Sequence, residues 1–141
     1  MVYSTDFSTS ARRHLRSACE LYQVTAAGAQ PGCFAVAGYL FGLSGELAVK
    51  EIMRNSGMKP LPPDQRRDDP FFAHFESLKS RLSDHIFGRR AGELRSIAED
   101  GRLFQHWDTD MRYAPTAEIQ KARVDDWLNS AQTLVAQMDA N

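Results

Sequence analysis

The residues best suited to chemistry lie in a segment between two predicted helices, residues 102–115, which we call the connector. It contains Trp107, Arg112 and Tyr113. Indole and phenol rings combine an apolar face with a polar edge, and a guanidinium is a planar, permanently charged donor that fits phosphate or carboxylate. These residues predict a binding site for an anionic ligand. The structural alternative is that Trp107 and Tyr113 close one end of a helical bundle while Arg112 pairs with a buried acid.

A carboxylate also lies inside the most apolar part of the chain. Glu46 belongs to segment 33–55, which is apolar on nearly every side of a predicted helix up to that residue. A carboxylate is rarely buried without a partner. Lys50 is one helical turn further on, and Arg112 of the connector is the other available cation. We therefore expect Glu46 to be buried and paired with Lys50 or Arg112.

The sequence gives no support for a metal site or a cofactor. It has no Gly-rich phosphate loop, no Gly-x-Ser-x-Gly nucleophile motif and no His-Glu-x-x-His zinc motif. The histidines lack the nearby carboxylates of a di-metal helical bundle; they are His14, His74, His85 and His106. We expect neither a bound metal nor a cofactor.

Composition indicates a single soluble domain over residues 1–141. The chain has 17 basic and 18 acidic residues, a net charge of −1 and 43% hydrophobic residues. No general positive field would attract nucleic acid or an anionic membrane, so such binding would need a local patch. The longest apolar run, 33–43, is shorter than the roughly 20 residues of a membrane span. We expect a cytoplasmic protein without a membrane segment.

Hydrophobic periodicity predicts an all-α, up-and-down bundle of four long helices and one short helix. The first helix is expected over about 10–29, with Ser8 or Ser10 as its N-cap and a break at 30–32. The second covers 33–55. Gly38 and Gly42 fall on one ridge of it, where a neighbouring helix can approach closely.

The second half of the chain is expected to begin with a mobile, Pro-rich loop at 56–70. Asp69 would cap the third helix, which has Pro70 as its first residue and runs to Gly88. A short fourth helix at 89–101, with Gly101 at its C-cap, would follow or continue it as one bent helix. The last long helix would begin at Pro115.

The order of these features resembles a known family. The features are the sequence GYLFGLSGELAVK at 38–50, a histidine early in the third helix, Trp107, and MRYAP at 111–115. Together they are similar to the HEPN domains, the higher-eukaryote and prokaryote nucleotide-binding family. The resemblance covers about 11–138.

This resemblance implies a helical homodimer with functional residues near its interface. Many HEPN domains are metal-independent ribonucleases with an Arg-x4-6-His motif near the start of the last helix, and others are non-catalytic partners of nucleotidyltransferases. The family's helix-two Glu and Lys correspond to Glu46 and Lys50, its helix-three histidine to His74, and its Arg-Tyr element to Arg112 and Tyr113.

The sequence departs from the nuclease pattern, because no histidine follows Arg112. Two other pairs come near the motif: six residues separate Arg67 from His74, and three separate Arg102 from His106. We therefore expect a non-catalytic or degenerate domain that binds a nucleotide, RNA or a protein partner near Trp107, Arg112 and Tyr113. The alternatives are a structural scaffold and a ribonuclease of a toxin or defence system, in which His74 or His106 acts as acid or base and an arginine stabilises the transition state.

Overall fold

The computed structural model describes residues 2–26 and 33–140. They form five α-helices: α1 (Phe7–Ala26), α2 (Cys33–Ser56), α3 (Phe75–Ser83), α4 (Ala91–Glu99) and α5 (Lys121–Asp139). Short 3-10 turns lie between some of them, and these described residues include no β-strand. The all-α prediction is confirmed. Three helices are long and two have nine residues, because the predicted third helix is divided.

Asp6 caps the first helix, so the predicted caps Ser8 and Ser10 are wrong. The Asp6 carboxylate accepts a hydrogen bond from the Thr9 backbone N–H at 3.1 Å and another from the Thr9 hydroxyl at 2.8 Å. These bonds satisfy one of the free amides at a helix start and attract the positive end of the helix dipole. The predicted break at 30–32 lies outside the described residues.

Helix α2 is the central element, and it packs mainly against α1 and α5. Its core side chains include Phe41, Val49 and Ile52, all with no exposed surface. By length and composition α2 could cross a membrane, but 56% of its most apolar window is buried inside the protein. Its buried residues also include Glu46 and Lys50. These features are those of the core helix of a bundle.

The predicted third helix is interrupted near its start. Pro70–Phe72 forms a separate 3-10 turn, capped by the Asp69 carboxylate, which accepts from the Phe71 N–H at 2.9 Å. Ala73 and His74 are then extended, and α3 begins only at Phe75. The proline and the Asp69 cap are where the sequence placed them, but they start one turn rather than a continuous helix.

The segment between α3 and α4 makes a close contact with the end of α2. Gly88 has φ = 98°, and a Cβ there would lie 1.7 Å from the Ser56 carbonyl oxygen. That oxygen accepts a hydrogen bond from the Arg89 N–H at 3.1 Å. Only glycine fits this conformation and this approach. Because α3 ends at Ser83 rather than at the predicted Gly88, and residues 84–90 are not helical, α3 and α4 are two helices rather than one bent helix. The C-cap of α4 is Asp100, not the predicted Gly101.

The segment 56–70 is more regular than the loop expected there. It contains a 3-10 turn over Pro63–Asp68, whose side chains are exposed. The fully buried Asp69 joins the residues on either side of this turn, because the second oxygen of its carboxylate accepts a hydrogen bond from the Leu61 N–H at 2.8 Å.

The connector and the last helix differ from expectation mainly at their junction. Thr109–Tyr113 and Thr116–Glu118 form 3-10 turns, and α5 begins at Lys121 rather than at Pro115. Five positions predicted for the buried stripe of the last helix are part of the core; they are Ile119, Trp127, Ala131, Leu134 and Met138. The remaining predicted position, Ala122/Arg123, is not, because Ala122 is exposed and Arg123 is half-buried.

Candidate functional site

One face of α2 carries two of the residues that the sequence marked as functional, Glu46 and Lys50, and a third residue that it did not mark, Tyr39. Tyr39, Glu46 and Lys50 are spaced by seven and four residues, which places them along one side of a helix. The segment before α3 and the connector supply the residues that contact this face.

Glu46 is buried as predicted, but its bonded partner is His74. The Glu46 side chain is 5% exposed, and its two carboxylate oxygens lie 3.0 and 3.1 Å from Nδ1 of His74. His74 occupies the extended residue just before α3. The prediction that Lys50 or Arg112 is the bonded partner is wrong, because neither forms an ion pair or hydrogen bond with Glu46 in the described part of the chain. His74 reaches it because Ala73 and His74 leave the helical path.

The Glu46 carboxylate raises the pKa of His74. The hydrogen bond is the main cause, burial and the charge of Lys50 oppose it, and Glu76 adds a smaller attraction. The side chain of His74 is 49% exposed, and its Nε2 makes no hydrogen bond to any described residue. The pair therefore resembles a carboxylate-oriented imidazole with one ring nitrogen left for a ligand.

Lys50 lies beside this pair without bonding to it. It is 7% exposed, and its ammonium makes no hydrogen bond or ion pair to another residue of the described ranges. Burial lowers the pKa of Lys50, while the carboxylates of Glu46 and Asp69 partly oppose this effect. Asp69 was recognised in the sequence only as a helix cap. No sequence signal marked it as a neighbour of Lys50.

Trp107 has the structural role that was the alternative prediction. It is 3% exposed, and its indole N–H donates to the Gly38 carbonyl at 3.1 Å. A Cβ on Gly42 would lie 2.0 Å from the indole ring, and one on Gly38 would lie 3.0 Å from the ring of Trp127. The predicted close approach of a helix is confirmed at Gly38, where α5 supplies Trp127, whereas at Gly42 the approaching indole belongs to the connector rather than to a helix.

Arg112 and Tyr113 lie on the outer side of Trp107. Tyr39 stacks on the indole with 5.7 Å between ring centroids, and the Arg112 guanidinium carbon lies 6.0 Å from the Tyr39 centroid and 5.0 Å from that of Tyr113. Tyr113 is 78% exposed, so it does not close the bundle. The Arg112 side chain forms no hydrogen bond or ion pair with a described residue. We call Tyr39, Arg112 and Tyr113 the aromatic ledge.

The two arginine–histidine pairs are not joined by direct contacts. Arg67 is exposed in the turn Pro63–Asp68, and no described contact connects its side chain to His74. Arg102 and His106 line two different, adjoining cavities. His106 has φ = 66°, which is uncommon for a residue with a side chain.

The first of these cavities, which we call the connector groove, was not anticipated from the sequence. Its volume is about 370 Å³, and its lining residues are Arg102, Gln105, Arg123, Asp126, Trp127, Asn129 and Ser130. The adjoining cavity of about 250 Å³ shares Arg123 and Trp127 with it. Arg123 was not predicted as a binding residue, because it lies on the apolar face of the last helix, where long, positively charged side chains usually flank the core.

Within the described ranges, no group of three or more potential metal ligands comes together. Comparisons of the chain with protein-family models, with curated proteins and with solved structures gave no significant match.

Proposed function

We propose that the protein is a divergent HEPN-like domain, non-catalytic or degenerate, that binds a nucleotide or the end of a single-stranded RNA at the aromatic ledge. The observation that carries this proposal is the exposed, unpaired guanidinium of Arg112 beside two tyrosine rings. The resemblance at 38–50 and 111–115 supports the same assignment.

The ledge has the chemistry that single-stranded nucleic acids require. Exposed aromatic rings stack on bases of any sequence, and an arginine fork binds phosphate oxygens. Tyr113 is free to stack on a base, whereas Tyr39 is fixed by Trp107. Arg112 has no acid among the described residues to release before it binds an anion.

Nearby acids favour a small ligand over a long RNA backbone. Three acids lie in or next to the turn Thr109–Tyr113, which carries Arg112; they are Asp108, Asp110 and Glu76. The carboxylates of Asp108 and Glu76 raise the pKa of Asp110. With a net charge of −1, the chain has no general positive field to attract a long RNA backbone. A nucleotide or strand end needs only one or two phosphate contacts.

Nuclear magnetic resonance titration with AMP, ATP and a short oligouridylate tests this proposal. We expect shifts at Tyr39 and Tyr113, and an affinity that falls about tenfold in Arg112→Ala, as for loss of a charge-assisted hydrogen bond. The melting temperature should stay unchanged, because the Arg112 side chain forms no hydrogen bond or ion pair in the part of the chain that the structure describes. Arg95→Ala, which removes another exposed arginine, is the control. A lower melting temperature in Arg112→Ala without any ligand binding would instead show a structural role.

The Glu46–His74 pair favours one second candidate, a metal-independent ribonuclease. A buried carboxylate bonded to Nδ1 orients an imidazole for acid–base chemistry at Nε2. Purified protein in chelator would then cleave single-stranded RNA, and His74→Ala would stop cleavage. His106→Ala tests the other histidine. Absence of cleavage by the wild type at high concentration would reject this candidate.

The resemblance further leads us to propose a cytoplasmic homodimer that acts with a nucleotidyltransferase partner. Co-purification of that enzyme, encoded by an adjacent gene, with the tagged chain would test the partnership. Recovery of the chain without it, when both are co-expressed, would contradict it.

A further inference from the structure

The connector groove contains two arginine side chains without protein partners. Arg102 lies in the turn after α4, and Arg123 is on the first turn of α5. Neither guanidinium forms a hydrogen bond or ion pair with another residue in the described ranges. Arg123 is half-buried, so part of its hydration is lost without compensation from a protein acid. Such a cation is suited to an anionic ligand.

The backbone that carries Arg102 is held in place from several sides. The Trp127 indole N–H donates to the Gln105 carbonyl at 3.0 Å. The Lys79 ammonium donates to the carbonyls of Asp100 and Leu103, each at 2.8 Å. Because these contacts exist without a ligand, the groove is formed before binding, and little ordering is needed when an anion enters.

The charge in the groove is positive although the whole chain is slightly negative. Two arginines oppose one acid, Asp126, which forms no ion pair with either of them in the described structure. Gln105, Asn129 and Ser130 supply neutral hydrogen-bond donors at the same surface. Asp126 weakens the attraction for anions but does not cancel it.

We propose that the connector groove is a phosphate-binding site, with Arg102 and Arg123 binding the oxygens of two linked phosphate groups. Two guanidinium forks at one cavity suit the several oxygens of a pyrophosphate unit better than a single carboxylate, and the volume of about 370 Å³ accepts it. The phosphates could belong to a nucleoside di- or triphosphate or to the backbone of an RNA strand. This site is distinct from the aromatic ledge and does not depend on it.

Isothermal titration calorimetry with sodium pyrophosphate at low ionic strength tests the site in the full chain. We expect Arg102→Ala and Arg123→Gln each to weaken binding about tenfold, the loss typical for a hydrogen bond to a charged group. Arg123→Gln keeps much of the packed stem, and circular dichroism confirms that it folds. Asp126→Asn should tighten binding, because it removes the only acid among the groove's described lining residues.

Two controls separate this site from general charge and from the ledge. Arg95→Ala removes a positive charge that does not line the groove and should leave pyrophosphate affinity unchanged. Arg112→Ala removes the ledge arginine, and in that background the losses caused by Arg102→Ala and Arg123→Gln should persist. Competition by ADP would assign the phosphates to a nucleotide, and competition by oligouridylate alone would assign them to RNA. No binding at about 10 mM pyrophosphate, or equal losses in Arg95→Ala and Arg102→Ala, would overturn the proposal.

Discussion

The pair between Glu46 and His74 allows a prediction that depends on pH as well as on mutation. His74→Ala removes the bonded partner of a carboxylate that is 5% exposed. Removing one partner of a fully buried ion pair lowers the free energy of unfolding by about 3–5 kcal/mol. Because half of the His74 side chain is exposed and solvent screens its charge, we expect a smaller loss of about 2 kcal/mol. His74 makes no helix-capping bond with its side chain, so no cap is lost.

The loss should be largest at acidic pH. Since Glu46 raises the pKa of His74, the folded chain holds the imidazole proton more tightly than the unfolded chain does. The contribution of the ion pair to the stability of the fold is therefore complete below the ordinary imidazole pKa of 6.5. It disappears as the pH rises through the higher pKa that His74 has in the folded chain. A neutral imidazole can still donate one hydrogen bond to Glu46, so about 1 kcal/mol should remain.

Thermal denaturation of the wild type and His74→Ala at pH 6 and pH 9 measures this difference. A chain of this length has an unfolding entropy of about 300 cal/mol/K, so the melting-temperature gap should fall from about 6 °C at pH 6 to about 3 °C at pH 9. His14→Ala is the control, because among the described residues the ring of His14 hydrogen-bonds only to Ser10. A gap that is equal at both pH values, or larger at pH 9, would refute the ion pair.

Three further predictions concern packing, a buried acid and assembly. Gly42→Ala should destabilise the fold by about 2 kcal/mol in urea unfolding, because the added methyl group overlaps the Trp107 ring. Gly92→Ala is the control, because Gly92 has open space around it, and this change should be neutral or stabilising. Similar effects of the two substitutions would contradict this packing argument. Asp69→Ala should cost about 3 kcal/mol, since two backbone amides lose their acceptor, and a loss near zero in urea would show that water replaces it. Light scattering over a dilution series should report about twice 15.9 kDa, and a 15.9 kDa species throughout would exclude the homodimer.

Local patterns in the sequence were sufficient for the helices and for the identity of the core. A helical stripe depends on residues three and four apart, so α2 and most buried positions of α5 could be predicted directly. The burial of Glu46 could also be predicted, because it belongs to a helix that is apolar on nearly every side and is therefore covered by the rest of the protein.

The partners of these residues could not be predicted from local patterns, because they are contacts between distant parts of the chain. Glu46 and His74 are 28 residues apart, and they meet only because a turn at Pro70–Phe72 delays the start of α3. Arg102 and Arg123 belong to different elements, and only the tertiary packing around Trp127 places them at one groove. The sequence therefore determined which side chains are able to bind an anion, while the tertiary structure decided which of them lack a protein partner and face solvent.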